Sequence, residues 1–163
     1  MAFRLLSPDF KDGDYLKSDQ ILSAAYGFGC TGGNRSPALR WEDPPSGAES
    51  FTLTMYDPDA PTGSGFWHWL VCNLPANCRE LPAGIGAGGK LPAGAIETRT
   101  DFGKPGYGGP CPPEGDHPHR YLFRLHAVKG KVQVTADTPA AQIGFQLHFM
   151  TVGQASLMGL YKR

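Results

Sequence analysis

The sequence predicts a mainly β domain, a sandwich or a barrel, with helix only at its margin near the C-terminus. Three observations carry that reading. The 163 residues include 22 glycines and 15 prolines, close to twice the usual share, which argues against a helix bundle yet stops short of the level that marks disorder. Several segments alternate apolar and polar residues with a period of two. Only the stretch after Thr138-Pro139 repeats apolar residues at helical spacing. With 40% hydrophobic and 11% aromatic residues the chain has the means to build a core, and its length fits one domain over 1–163.

Early strands are expected around Phe3–Leu6 and, after the polar loop 31–37, around Ala38–Trp41. Phe51, Leu53 and Met55 share one face of a strand, with Thr52, Thr54 and Tyr56 on the other, and Asp57 continues the apolar face. Pro58 and Pro61 end it, because proline cannot donate to a ladder. Phe66–Leu74 is β-prone and apolar on both faces, as in a central strand, and stops at Pro75. In 120–128, Tyr121, Phe123, Leu125 and Ala127 face inward, and the same period adds His119. Lys129-Gly130-Lys131 reads as a turn and Val132–Val134 as a short strand. Thr138 as cap and Pro139 at the first helical position open a helix bearing Ile143, Leu147 and Met150. The long loops 75–96 and 101–118 exceed the usual connection length, which makes them candidates for function.

Fifteen basic and fifteen acidic residues cancel, so no global field draws the chain to nucleic acid or to an anionic membrane. The first ten residues lack a signal-peptide core, and no apolar run approaches a membrane span. A soluble cytoplasmic protein is expected, with no stable membrane insertion. Cys30, Cys72, Cys78 and Cys111 are unevenly spaced, and the expectation for that compartment is four reduced thiols.

The run Gly84-Ile85-Gly86-Ala87-Gly88-Gly89-Lys90 imitates a nucleotide loop, but Leu91 stands where the magnesium-binding hydroxyl belongs, and Leu91-Pro92 biases the chain against the required helix. A mobile surface loop is the reading here. Asp57 and Asp59 at a strand end suit metal binding or acid–base work, or a plain polar turn. His68, between Trp67 and Trp69, is either a hydrogen-bonded core residue or a ligand-facing one. The segment Gly106–Gly115, rich in glycine and proline, brings backbone close to a ligand at little ordering cost, or is a stiff connection packed by Tyr107. His117 and His119 lack an obvious third partner for zinc, and no cofactor or metal is expected.

Taken in order, Asp57-Pro58-Asp59-Ala60-Pro61, Trp67-His68-Trp69, Gly106-Tyr107-Gly108-Gly109-Pro110-Cys111-Pro112-Pro113 and His119-Arg120-Tyr121 resemble the signatures of the phosphatidylethanolamine-binding protein family, also called the Raf kinase inhibitor protein family, in its bacterial branch. Ser7–Phe10, Asn34–Trp41, Thr100–Gly103 and Gly159–Arg163 extend the resemblance over nearly the whole chain. It implies a large central antiparallel sheet packed on a smaller one, with one or two peripheral helices near the C-terminus. It also implies a small pocket for phosphate, a phosphoethanolamine head group or an acetate-like anion, formed by Asp57, Asp59, His68, Gly109, Pro110, Cys111, Pro112, His119 and Tyr121. Kinase or protease inhibition belongs to particular branches, and nothing in the residues carries it over.

Two carboxylates repel a phosphate unless protons lie between them. His68 and His119 are therefore expected as donors, with Asp57 and Asp59 orienting them or holding a proton. Backbone amides of 109–111 complete the cage, and Tyr121 shapes the wall or donates its hydroxyl. Asp59 has an alternative role, pairing with a ligand ammonium. The leading expectation is a non-enzymatic anion-binding module, with an unidentified protein partner or a homodimer as further associations. The alternative is a small hydrolase using Asp57, His68 and His119, although no nucleophile elbow is present.

Overall fold

The computed structural model describes residues 1–86 and 88–163. A three-stranded sheet contains β1 (Arg4–Leu6), β2 (Leu39–Glu42) and β5 (Glu80–Leu81) in the order β1-β2-β5. A five-stranded sheet contains β3 (Ser50–Asp57), β4 (Phe66–Pro75), β6 (Ile96–Glu97), β7 (His119–Val128) and β8 (Thr151–Tyr161) in the order β6-β4-β3-β7-β8. Every pairing between these strands is antiparallel. The predicted two-sheet β architecture is the observed one. A 3₁₀ turn (Ala24–Tyr26) and α1 (Ala140–Met150) are the helical elements among the described residues.

The main core fills the space between the sheets. Leu5, Leu39 and Trp41 of the small sheet meet Phe51, Leu53 and Met55 of β3, Trp69 and Val71 of β4, and Phe123 and Leu125 of β7. All are buried; β7 shows the alternation read from the sequence, whereas β3 is buried on both faces, Thr52 and Thr54 included. A second cluster, Leu70, Cys72, Val128, Val132, Ile143 and Leu147, lies under α1 on the other face of the large sheet. Ile143 and Leu147 supply the buried stripe of that helix, as their spacing predicts.

Four expectations change. Val132–Val134 forms no strand, because the Asn73 side chain takes both backbone groups of Val132: its Oδ1 accepts from the amide and its Nδ2 donates to the carbonyl, each at 3.0 Å. Pro139, not Thr138, is the N-cap of α1, and Thr138 Oγ1 accepts instead from the Thr135 amide. The Gly-rich loop is anchored to the core in its first part, while Gly88, Gly89 and Lys90 lie exposed on the surface. Ile85 is buried, the Gly86 amide donates to Ser36 Oγ at 2.9 Å, and a Cβ on Gly86 would lie 2.8 Å from the Trp69 ring. Ala87, in the same run, lies outside the described residues. Finally, Cys30 and Cys111 form a disulfide, leaving Cys72 and Cys78 as thiols. Disulfides persist in oxidising compartments, so the expectation of four reduced thiols, drawn from a cytoplasmic location, does not hold. No helix is long and apolar enough to cross a membrane among the described residues.

Candidate functional site

The antiparallel register brings the end of β3 beside the start of β7, with β4 on the other flank. Period-two alternation points Asp57, His119 and Tyr121 into the same space, and the register shift opposite Met55 and Tyr56 turns His68 of β4 toward it as well. They line a cavity of about 270 Å³ together with Phe66, Phe102, Cys111, Pro112 and Pro113. The walls are chiefly aromatic and proline surfaces, and the polar groups are few and central.

His119 is the centre of charge. Its side chain is 1% exposed, its Nδ1 lies 2.7 Å from Asp57 Oδ2, and its Nε2 lies 2.9 Å from Asp116 Oδ2. A carboxylate accepts, so both ring nitrogens donate and the ring is an imidazolium. Burial pulls the His119 pKa down, but the hydrogen bonds to Asp57 and Asp116 outweigh it, and the net shift is upward. Asp57 is itself fixed by its other oxygen, Oδ1, which accepts the Asp59 amide at 2.8 Å. This turn is what the prolines after β3 permit, since the chain must reverse at once.

His68 is different. Its Nδ1 donates to the Gly108 carbonyl at 2.7 Å, which fixes the tautomer and leaves Nε2 as an acceptor. Burial is the main cause of its lowered pKa, so it is a neutral imidazole. The rings of Phe66, Phe102 and Tyr121 stand around it at 5.1, 5.4 and 5.3 Å between centroids. Of the two expected donors, His119 therefore has the protonated form and His68 does not.

Asp59, Gly109 and Pro110 stand behind the pocket rather than in it. Asp59 holds Arg120 in a fork: guanidinium Nε and Nη2 donate at 3.0 and 2.9 Å, and the Arg120 amide adds a third bond at 2.9 Å. That arginine keeps the Asp59 carboxyl down at about 2, so Asp59 anchors the start of β7 and is not free to meet a ligand ammonium. The Gly109 amide donates to Asn34 Oδ1 at 2.8 Å, and the Pro110 carbonyl accepts from Leu22. The expected amide cage is thus already engaged at Gly109 and lacks a donor at Pro110. The glycines are needed for close packing within the protein: a Cβ on Gly108 would lie 2.2 Å from the Phe102 ring, and one on Gly109 2.1 Å from the Gln20 carbonyl.

Sequence reasoning missed Asp116, Asn34 and Arg163. Asn34 joins two points of the wall, donating through Nδ2 to the Tyr107 carbonyl while accepting from Gly109. Arg163 Nε donates to the Pro112 carbonyl at 2.6 Å, and its Nη2 to Phe28. The disulfide ties Cys111 on this wall to Cys30. Asn34 adopts a positive φ of 49°, a conformation uncommon outside glycine that asparagine tolerates.

Residues 6–162 match the family model described as phosphatidylethanolamine-binding protein. The chain belongs to that family. It is 46% identical to YbhB of Escherichia coli over 97% of this chain and 99% of that one, and 45% identical to YbcL of the same organism over 99% and 88%. The crystal structure of E. coli YbcL superimposes with a TM-score of 0.95 at 44% identity, covering 100% of this chain and 99% of that one. Family membership supports ligand binding in general terms, and the fold agreement extends through both sheets.

Proposed function

We propose that this chain is a non-enzymatic binding module for one anionic or zwitterionic head group, of the phosphoethanolamine or carboxylate kind, taken up at His119. The observation that carries the reading is the Asp116 carboxylate on His119 Nε2. An imidazolium that already holds a carboxylate of its own chain can exchange it for one from outside. Two carboxylates against one imidazolium leave the site with negative charge in excess, because Asp59 is matched by Arg120 and His68 is neutral. That balance disfavours a free phosphate dianion and favours a ligand that brings its own cation. When the phosphate of phosphoethanolamine displaces Asp116, its ammonium pairs with the released carboxylate.

Binding is favoured over hydrolysis by the state of the wall's nucleophilic atoms. Cys111 is in a disulfide, the Thr62 hydroxyl donates to the Gly65 carbonyl, and burial pushes the Tyr121 phenol above its ordinary pKa. Asp57 and His119 have the geometry of a base and its orienting acid, with no nucleophile presented to them.

The test is calorimetric titration with phosphoethanolamine and with acetate, at about pH 5.5 and about pH 8, on either side of an ordinary histidine. With the His119 pKa raised, the imidazolium is lost only as pH rises through a value above that of an ordinary histidine. Both ligands should therefore bind about tenfold more tightly at the lower pH, one charged hydrogen bond's worth. Acetate stays a monoanion across the range, so equal affinities for it would overturn the reading. Turnover of phosphate or acyl esters that is lost in His119→Ala would instead support hydrolysis.

A further inference from the structure

The face of the large sheet turned away from the pocket carries a second cavity, of about 380 Å³, between the strands and α1. That volume is within the range of small-molecule sites. Its floor comes from three adjacent strands. Thr54 on β3 pairs with Arg124 on β7, and His126, two residues on, pairs with Gln154 on β8. The rings of Tyr56 and Trp67, 4.3 Å between centroids and tilted by 36°, form one wall, and Gly144, Leu147 and His148 of α1 the other.

The lining carries one fixed charge, the Arg124 guanidinium, beside two imidazoles, of which His126 is neutral. Arg124, His126 and His148 all line it, and no Asp or Glu does. Each neighbouring strand faces these residues with neutral side chains: Thr54 and Tyr56 from β3, Trp67 and Leu70 from β4, and Gln154 from β8. Arg120, four residues before Arg124 on β7, holds a carboxylate through three bonds. The Arg124 guanidinium has no hydrogen-bond or ion-pair partner among the described residues. The residue is exposed, so its guanidinium meets water at the open edge of an aromatic and aliphatic cavity.

The helix adds an independent observation. Gly144 lies in the middle of α1, where glycine disfavours the helix relative to alanine, and a Cβ there would meet nothing within 4 Å. Most of the other glycines at ordinary φ are required by close neighbours. Gly144 is exposed and stands at the rim of the cavity, so a side chain there has room to reach over its mouth.

We infer that this cavity is a second ligand site, for a small organic anion with a planar apolar body, its charged group held by Arg124 and its ring set against Tyr56 and Trp67. Arginine binds carboxylate and phosphate alike through its planar fork, so the shared chemistry is an anionic group on an aryl ring. Because side chains alternate along β7, this site and the one at His119 lie on opposite faces and take their ligands separately.

The experiment is an amide-resonance titration of the full chain with phenyl phosphate, phenylacetate and the neutral phenethyl alcohol. Both anions should shift the resonances of Arg124, His126, Gly144 and His148, saturating at millimolar concentration, and the alcohol should bind at least tenfold more weakly. A preference for phenyl phosphate assigns the natural ligand to the phosphate esters, and a preference for phenylacetate to the carboxylates; either supports the site. Arg124→Gln should remove the advantage of the anions over the alcohol. Gly144→Leu should cover the cavity mouth, abolish these shifts, and leave the response of the His119 pocket to acetate unchanged. Absence of shifts at these four residues, equal binding of anions and alcohol, or full binding by Gly144→Leu would overturn the inference.

Discussion

His119 and His126 lie near opposite ends of β7, on opposite faces of one sheet, and their surroundings drive them to opposite charge states. His119 points into the core side, where Asp57 arrives from the end of β3 and Asp116 from the loop before β7, and its pKa rises despite burial. His126 points to the outer side, where Thr52 and Gln154 are its cross-strand neighbours and Thr151 Oγ1 lies 3.3 Å from its Nδ1. Burial, reinforced by Arg124, pushes its pKa down to about 4. A strand fixes only which face a histidine occupies. Whether the ring is charged depends on the carboxylates that loops and strand ends deliver to it, and only the core side receives any.

The harshest way to break the contrast is to remove the carboxylate that defines the core side. In Asp57→Ala the His119 ring keeps its burial and loses its shortest partner, which should cost about 3–5 kcal/mol in urea unfolding. The ring should also titrate below, not above, an ordinary histidine by NMR. An unchanged His119 titration would mean that Asp116 alone holds the charge.

The wall opposite His119 depends on a covalent tie that the outer face lacks. Cys30 and Cys111 are 81 residues apart, and their bond joins the loop after Leu22 to the Cys111–Pro113 segment that lines the pocket. Cys30→Ser with Cys111→Ser should lower stability by about 2–4 kcal/mol. It should also weaken acetate binding at His119 while leaving the Arg124 cavity's response intact. Equal weakening at both sites would show a global loss rather than a loosened wall.

These two ties also show where sequence reasoning stops. Strands β3, β4 and β7 were legible because each buries one or both faces, and burial writes itself as alternation or as an apolar run. Strand β8 was not, although it spans Thr151–Tyr161. Gly153 and Gly159 interrupt its pattern, and both are glycine because neighbours press on them: a Cβ would lie 2.4 Å from Pro45 at the first and 2.7 Å from Leu16 at the second. In the site, period two was enough to send Asp57, His119 and Tyr121 to one side. It had nothing to say about Asp116, which reaches His119 from a loop, or about Asn34, whose partners lie more than 70 residues away. Asp59 shows the same limit: the motif places two acids together, but only the fold reveals Arg120 bonded to one of them. The disulfide was beyond reach because spacing does not determine connectivity.

The finest adjustment of the contrast is to change Asp116 alone. This residue is the partner of His119 that a ligand must replace, and its side chain is the more exposed of the two carboxylates, at 37% against 4% for Asp57. Removing it should therefore cost little stability, since exposed ion pairs contribute about 1 kcal/mol or less. Asp116→Asn eliminates both the competitor and one negative charge, while Asp57 keeps the ring oriented and protonated. Acetate should then bind several-fold more tightly, an effect of about 1 kcal/mol. Phosphoethanolamine should gain less than acetate, because the carboxylate that would receive its ammonium is gone. The ratio of the two affinities thus separates the roles of Asp116. A gain shared equally by both ligands would leave it as a competitor only, and a loss for both would make it part of the binding surface instead of its occupant.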